Sequence, residues 1–339
     1  RQGMHQAKVA SLLMRLDEAW QPPSISNFIL RDASFAGAKW AGAILPRAQA
    51  QKSCFHGADL RNSKLSALLA RQADFSSANI SRARIQSADF REANLTNLVA
   101  NDTQATSTDF SDADLFQAKF SGSDLTGCNF HSANLKNARF ENVKLRSASL
   151  RSAELRKAEY QDCNFEDANL QKCDFRETLL RDCEFVNAGL SDSNFEGCDL
   201  TSLHFLNARF RRALLTGSRA INVCFSNASF AQAGMAEIVW KNCDLSNCDF
   251  RGVSFHLGST RCGLVDSPFP SHGTRTGFYT DDYDDLHYKN PEAIRKAALV
   301  GCILIGAHVY DTDFYLVDLR DCEMTAPQRQ HFQRCGAIL

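Results

Sequence analysis

From residue 110 to residue 210 a large apolar side chain stands at every fifth position without interruption: Phe110, Leu115, Phe120, Leu125, Phe130, Leu135, Phe140 and so on to Phe205 and Phe210. Two residues before most of them lies a compact one, as at Ala113, Ala118, Ser123, Cys128, Ala133 and Ala138. A period of five fits neither the helical turn nor the alternation of a strand, so no single regular element can put these side chains on one face. A four-sided coil can. If five residues form one side, each central residue turns inward and stacks on the residue one coil along, a strand spacing of about 4.8 Å away. The compact neighbour points into the same narrow interior, which must be filled to crystal-like density.

The register runs from Leu30 to Phe255, which is 46 units. At four units per coil that predicts one long solenoid of about eleven and a half coils, spanning roughly 55 Å. Ring ladders are expected along it, for example Phe90, Phe110, Phe130 and Phe165, Phe185, Phe205, Phe225. At Ala100, Ala105 and Ala220 the central residue is too small to fill the coil, which predicts local narrowing or a bulge. Units such as Ala113-Asp114-Leu115, Ala133-Asn134-Leu135, Cys163-Asn164-Phe165 and Ala168-Asn169-Leu170 resemble the A(D/N)LXX unit of the pentapeptide repeat family. That resemblance implies an all-β fold, a right-handed quadrilateral β-helix with the central Leu or Phe and the preceding small residue inside. It implies little about activity, because function lives in sites grafted onto a fold.

The formal net charge of −1 over 339 residues argues against both a strongly basic nucleic-acid binder and a strongly acidic mimic of nucleic acid. No stretch approaches the roughly eighteen apolar residues of a membrane span, and no signal peptide opens the chain. Nine of the thirteen cysteines (128, 163, 173, 183, 198, 243, 248, 302 and 322) fall at the inward compact position, where cysteine acts as a small hydrophobe. That usage points to reduced thiols and a reducing, cytoplasmic compartment; a redox link between Cys163 and Cys183, one coil apart, is the other reading. No cysteine or histidine spacing matches a zinc site.

Both ends depart from the repeat. Residues 1–26 form a helical cap or a linker from an upstream region: Val9, Leu12, Leu13, Leu16 and Trp20 fall at helical spacing before Pro22-Pro23, and this segment is expected to cover the first coil. The chain opens on Arg1, as the C-terminal part of a longer protein or a trimmed chain would. The main β-helix is assigned to residues 27–269, with Leu264 and Phe269 fitting a register slipped by one. Residues 270–298 form an inserted loop with a short helix beginning at Asn290-Pro291. The last coils span 299–324, and residues 325–339 form a capping helix opened by Thr325-Ala326-Pro327.

Two surfaces are candidates for binding. Arg31, Arg71, Arg91, Arg151, Arg211 and Arg251 each follow a central residue and share one phase of the coil, so they are expected in one file. Between residues 27 and 255 there are 27 Lys+Arg and 26 Asp+Glu. The file is therefore either a solvated face neutralised by Asp32, Glu92 and Asp112, or an electrostatic strip for an acidic partner. The insertion supplies Tyr279, Asp281, Asp282, Tyr283, Asp284, Asp285, His287 and Tyr288, either a solvated acidic tip or a partner-binding arm. It lacks the ligand pattern of a calcium loop, and the chain has no nucleophile elbow or phosphate-binding glycine loop.

The expectation is a non-catalytic protein–protein interaction scaffold, bacterial, standing alone or attached to an effector, toxin adaptor or defence protein. It would be a monomer or an end-to-end dimer, with another protein as partner, no direct nucleic-acid binding and no cofactor, metal or catalytic residue. The resemblance implies one alternative, a DNA-mimicking protein that binds type II topoisomerases in the manner of quinolone-resistance proteins, which the neutral charge disfavours. An enzyme with its site in the 270–298 insertion is the other.

Overall fold

The computed structural model describes residues 2–17, 19–256 and 296–339. The chain forms two compact units, Arg1–Asn169 and Leu170–Leu339, and each is a right-handed quadrilateral β-helix. Up to the break after Phe255 the bridging residues pair in parallel with partners twenty positions on, as Ser34 with Cys54 and Asp109 with Asn129 in the first unit, or Arg209 with Ser229 in the second. The central N–H donates to the next coil (Phe110 to Asn129 O, 2.7 Å), and the bridging N–H donates back (Asn129 to Thr108 O, 3.0 Å). Where pairing extends to three residues it forms short parallel strands. In the first unit these are β1 (Lys119–Ser121), β2 (Arg139–Glu141) and β3 (Glu159–Gln161), in register. In the second they are β4 (Leu179–Arg181), β5 (Arg219–Ile221), β6 (Val239–Lys241) and β7 (Ala298–Val300), the last three consecutive.

Local chemistry explains why five residues make one side. The N–H three places after a central residue donates to its carbonyl (Ala113 to Phe110 O, 3.1 Å), closing a turn at each corner. The second residue of the corner lies in the left-handed region: Asp32 at φ 54°, Asn62 at 58°, Gly127 at 67°. Only Gly, and to a lesser degree Asn and Asp, adopts that conformation cheaply. Ala67 (φ 55°) pays the steric cost with nothing in return, so Ala67→Gly should raise stability by about 0.5–1 kcal/mol in thermal or urea unfolding. Where an Asp or Asn precedes the central residue, it serves the same corner. Its Oδ1 accepts the N–H two residues on, as Asp114 does from Phe116 (3.1 Å) and Asn194 from Glu196 (2.9 Å).

The interior is a stack of rings and aliphatic chains. Phe90, Phe110 and Phe130 lie 5.6 and 5.0 Å apart in the first unit, and Phe185, Phe205 and Phe225 lie 5.0 and 5.2 Å apart in the second. The narrowing or bulge expected at Ala100, Ala105 and Ala220 does not occur. All three are sealed and their ladders continue through Val99–Lys119, Gln104–Asp124 and Arg219–Val239. A larger residue in the next coil takes up the space. Trp240, paired with Ala220, stacks 4.4 Å from Phe225 and donates its indole N–H to Ser218 Oγ at 3.1 Å.

The inward compact residues also have a polar task. Their hydroxyl or thiol donates to the carbonyl of a central residue one coil back: Thr108 Oγ1 to Ile85 O (2.8 Å), Ser123 Oγ to Ala100 O (2.6 Å), Cys128 Sγ to Ala105 O (2.9 Å), Cys248 Sγ to Phe225 O (3.0 Å). The described cysteines are thiols outside any disulfide, and burial pushes Cys128 and Cys198 up to about 12. A thiol held protonated is a poor nucleophile. Iodoacetamide at pH 8 should therefore label the half-buried Cys54, Cys224 and Cys335 well before Cys128 or Cys198, read by peptide mass mapping.

At the N-terminus, α1 (Gln2–Leu16) covers the first coil, but with its small residues. Ala7, Ala10 and Ser11 are buried, and Ser11 Oγ donates to Ser34 O at 2.8 Å. Val9, Leu12, Leu13 and Leu16 face outward, Leu12 at 55% and Leu16 at 85% exposure, while Trp20 packs on Trp40 with centroids 5.8 Å apart. At the other end, α2 (Ala326–Cys335) starts with a capping box between Thr325 and Gln328 and ends at Gly336 in the left-handed conformation. The buried Gln328 amide donates to Leu304 O (2.8 Å) and Ala307 O (3.1 Å), satisfying carbonyls of the last coil, and Phe332 packs 4.7 Å from Phe314. The chain then returns, so that Ile338 pairs with Asp318.

The ladder is described to Phe255 and resumes at Ala298. Leu299 sits one coil beyond Trp240, with Ile303 on Asp244 and His308 on Asp249. The positions expected to carry a slipped register (Leu264 and Phe269) and the expected short helix at Asn290 lie outside the described residues.

Candidate interaction surfaces

Each arginine of the predicted file occupies the first corner position after a central residue, and its guanidinium is exposed to solvent. The two units hold separate parts of it: Arg31, Arg71, Arg91 and Arg151 in the first, Arg211 and Arg251 in the second. The neighbours differ. Arg91 forms a fork with Asp89, Nε to Oδ1 at 2.8 Å and Nη2 to Oδ2 at 2.7 Å, while the same Oδ1 accepts the Arg91 N–H at 3.1 Å. Arg251 does likewise with Asp249, at 2.9 and 2.8 Å. Arg71 Nε donates to Glu92 Oε1 at 3.0 Å, and Gln72 donates to the other oxygen at 2.7 Å. Among the described residues Arg31, Arg151 and Arg211 have no ion-pair partner; the backbone carbonyl of Arg151 meets His131 Nδ1 at 3.0 Å.

The fork is a general device of this chain. Asp59–Arg61, Asp174–Arg176 and Asp318–Arg320 repeat it on other sides of the coil. It arises wherever Asp-x-Arg brackets a central residue, because the turn that fixes the Asp also aims the Arg back at it. This signal was present in the sequence but is not visible from the arginines taken alone. The arginine side-chain hydrogen bond is the largest cause holding Asp59, Asp89, Asp249 and Asp318 below the usual carboxylate range. A carboxylate with a depressed folded-state pKa contributes stability that is present above its unfolded value near 4 and is lost as pH falls through the folded value. Melting temperature should therefore drop between about pH 5 and pH 3, and Asp89→Asn with Asp249→Asn should flatten that drop.

The other candidate contact residues (Tyr279, Asp281, Asp282, Tyr283, Asp284, Asp285, His287 and Tyr288) lie outside the described residues, so no geometry is assigned to them. Clefts mark the described surface of each unit. One of about 340 Å³ in the first unit is lined by Asn97, Gln117, Lys119, Asn137, Arg139, Lys157 and Glu159, with Arg139 Nε 3.3 Å from Glu159 Oε2. Another, about 600 Å³ in the second unit, lies beside β4 and carries more exposed apolar surface. No group of three or more His, Cys, Asp or Glu among the described residues could hold a metal ion, and no described helix is long and apolar enough to cross a membrane.

A parallel coil of five-residue sides with a sealed apolar interior defines a β-solenoid of the quadrilateral class, carrying polar ladders on its outer faces. The sequence places the chain more narrowly. A family described as "Pentapeptide repeat region" matches residues 113–190, and one described as "Pentapeptide repeats (8 copies)" matches residues 29–66, 69–97, 86–122 and 193–232. The chain belongs to the pentapeptide repeat family.

Among solved structures, the chain is similar to HetL, a pentapeptide repeat protein involved in heterocyst differentiation regulation from the cyanobacterium Nostoc. The two share 23% identity over 66% of this chain and 94% of that one, with a TM-score of 0.38. It is also similar to QnrB1, a plasmid-mediated fluoroquinolone resistance protein, in a trypsin-treated variant. Identity there is 20% over 76% of this chain and 97% of that one, with a TM-score of 0.31. The periplasmic alginate epimerase AlgG aligns at 8% identity over 84% and 77%, with a TM-score of 0.36. No curated protein sequence matches the chain.

Proposed function

We propose that this chain is a non-catalytic protein–protein interaction module whose partner presents an acidic surface to the arginines left uncompensated on its faces. The observation that carries this reading is the contrast within one phase of the coil. Arg71, Arg91 and Arg251 are each neutralised by a carboxylate, whereas Arg31, Arg151 and Arg211 have no carboxylate partner among the described residues. Exposed, unpaired guanidinium groups at fixed backbone positions suit fork-like recognition of carboxylates and faster electrostatic encounter. Their sign is also the wrong one for a protein that imitates DNA. The insertion around Tyr283 is a second contact in this reading.

The test is cross-linking capture from the native cell, comparing the natural chain with Arg151→Glu and Arg211→Glu combined. The expected result is loss of the major captured protein at low salt, with the melting temperature unchanged because both side chains are solvated. Capture indifferent to both changes would remove the arginines from the interface.

A further inference from the structure

We propose that the side of the coil beside β4 is a slot that accepts an extended segment of a partner protein as an added strand, its central residue apolar and its flanking residues basic. This rests on the interaction-module reading and names one surface through which it acts.

Three observations within the second unit support it. The ladder between two successive coils opens on one side only. Phe175 N–H donates to Asn194 O at 2.8 Å and Phe185 N–H to His204 O at 2.7 Å, but between them no described backbone bond joins Leu180 or Asp182 to Asp199 or Thr201, and no bridge joins Leu179 to Asp199. One coil further on, the equivalent bond is made, Leu200 N–H to Arg219 O at 2.7 Å. The opening is the cleft of about 600 Å³, with Gly197 at its lip. Apolar surface shows through it: Leu179 is 50% exposed, and Leu180 and Cys198 are each 8% exposed, while the neighbouring Phe175, Phe185 and Phe195 are fully sealed.

These features specify the ligand. The N–H groups of Leu180 and Asp182 on one lip, and the N–H of Asp199 with the carbonyls of Asp199 and Thr201 on the other, are the groups an inserted strand would pair. The intact bonds at Phe175 and Phe185 limit the slot to one side of the coil, about three extended residues or roughly 10 Å. Alternation then turns the central side chain of the guest inward onto Leu180 and Cys198 and the two flanking ones outward. Outside, Asp199 lies beside Arg219 and holds Thr201 N–H on its Oδ1 (3.0 Å), whereas Asp182 has no ion-pair partner among the described residues; with Glu177, the carboxylates still outnumber Arg181 and Arg219, so basic flanks complement the rim.

The test uses the whole chain and a fluorescein-labelled five-residue peptide, basic at both ends with leucine between valines. In the free protein the amides of Leu180, Asp182 and Asp199 should exchange with deuterium on the order of a hundredfold faster than those of Phe175 and Phe185. Peptide should slow those three and no others. N-methylation of the peptide's central amide, or Asp182→Lys, should each weaken binding roughly tenfold, with Arg151→Glu as an unaffected control. Equal protection in the free protein would show the ladder closed and overturn the slot while leaving the interaction-module reading standing. Binding indifferent to N-methylation would also overturn it, as would protection of these amides that grows with protein concentration alone, which would assign the slot to a second copy.

Discussion

Phe205→Ala should cost about 3–5 kcal/mol, whereas His204→Ala, its immediate neighbour, should stay within about 0.5 kcal/mol. Phe205 is fully buried and its ring lies 5.0 Å from Phe185, 5.2 Å from Phe225 and 5.1 Å from Phe210. Removing it leaves a ring-sized void in a column whose other rings are fixed by the backbone ladder, so the site cannot collapse to refill it. The coil spacing adds a second loss, because two stacking contacts along the column go with the ring. His204 bridges to Cys224 through backbone groups, which alanine keeps, and its side chain is exposed. Urea unfolding of the two variants gives the comparison directly, and similar midpoints would contradict the inward and outward assignment.

Deleting residues 257–295 should leave a folded, cooperative coil, and deleting two more, 257–297, should not. Leu299 stacks one coil beyond Trp240 although it lies 59 residues along the chain instead of 20, so 39 residues are in excess of the coil. Removing that number places Leu299 five residues after Phe255, keeping every partner of the last coils, including Cys302 opposite Cys243 and Asp318 opposite Ala298. Removing two more takes away the inward Ala297 and leaves the chain too short to turn the corner. The final coils and the α2 cap then cannot pair, exposing the apolar ends of Trp240, Leu245 and Phe250. Circular dichroism and thermal melting separate the outcomes: the first deletion should melt within a few degrees of the parent, the second should lose cooperativity or aggregate. A deletion of 272–296 is framed on a slipped register at Leu264 and Phe269, which lie outside the described residues, and would leave Leu299 about 34 residues after Trp240.

The period itself determined most of the fold. A five-residue recurrence of Leu and Phe with a compact residue two places earlier has one way of burying both, and the coil follows with its inward and outward faces. The same count located the Phe ladders and the placement of cysteine inside, and Thr325-Ala326-Pro327 marked the start of the capping helix. Other features depend on what stands one coil away, which is twenty positions distant in sequence and beyond any local pattern. Ala220 needs no bulge because Trp240 fills its space, and α1 turns Ala7, Ala10 and Ser11 to the first coil because the end of the stack admits only small side chains at close approach. Arg91 and Arg251 are tied to Asp89 and Asp249, which the sequence could have revealed as Asp-x-Arg, whereas the pairing of Arg71 with Glu92 across a coil is a product of stacking. The opening beside β4 left no trace in the count, since Leu180 and Leu200 keep the period. Hydrophobic spacing fixes which side chains go inside, and only the three-dimensional stack decides which backbone groups find each other.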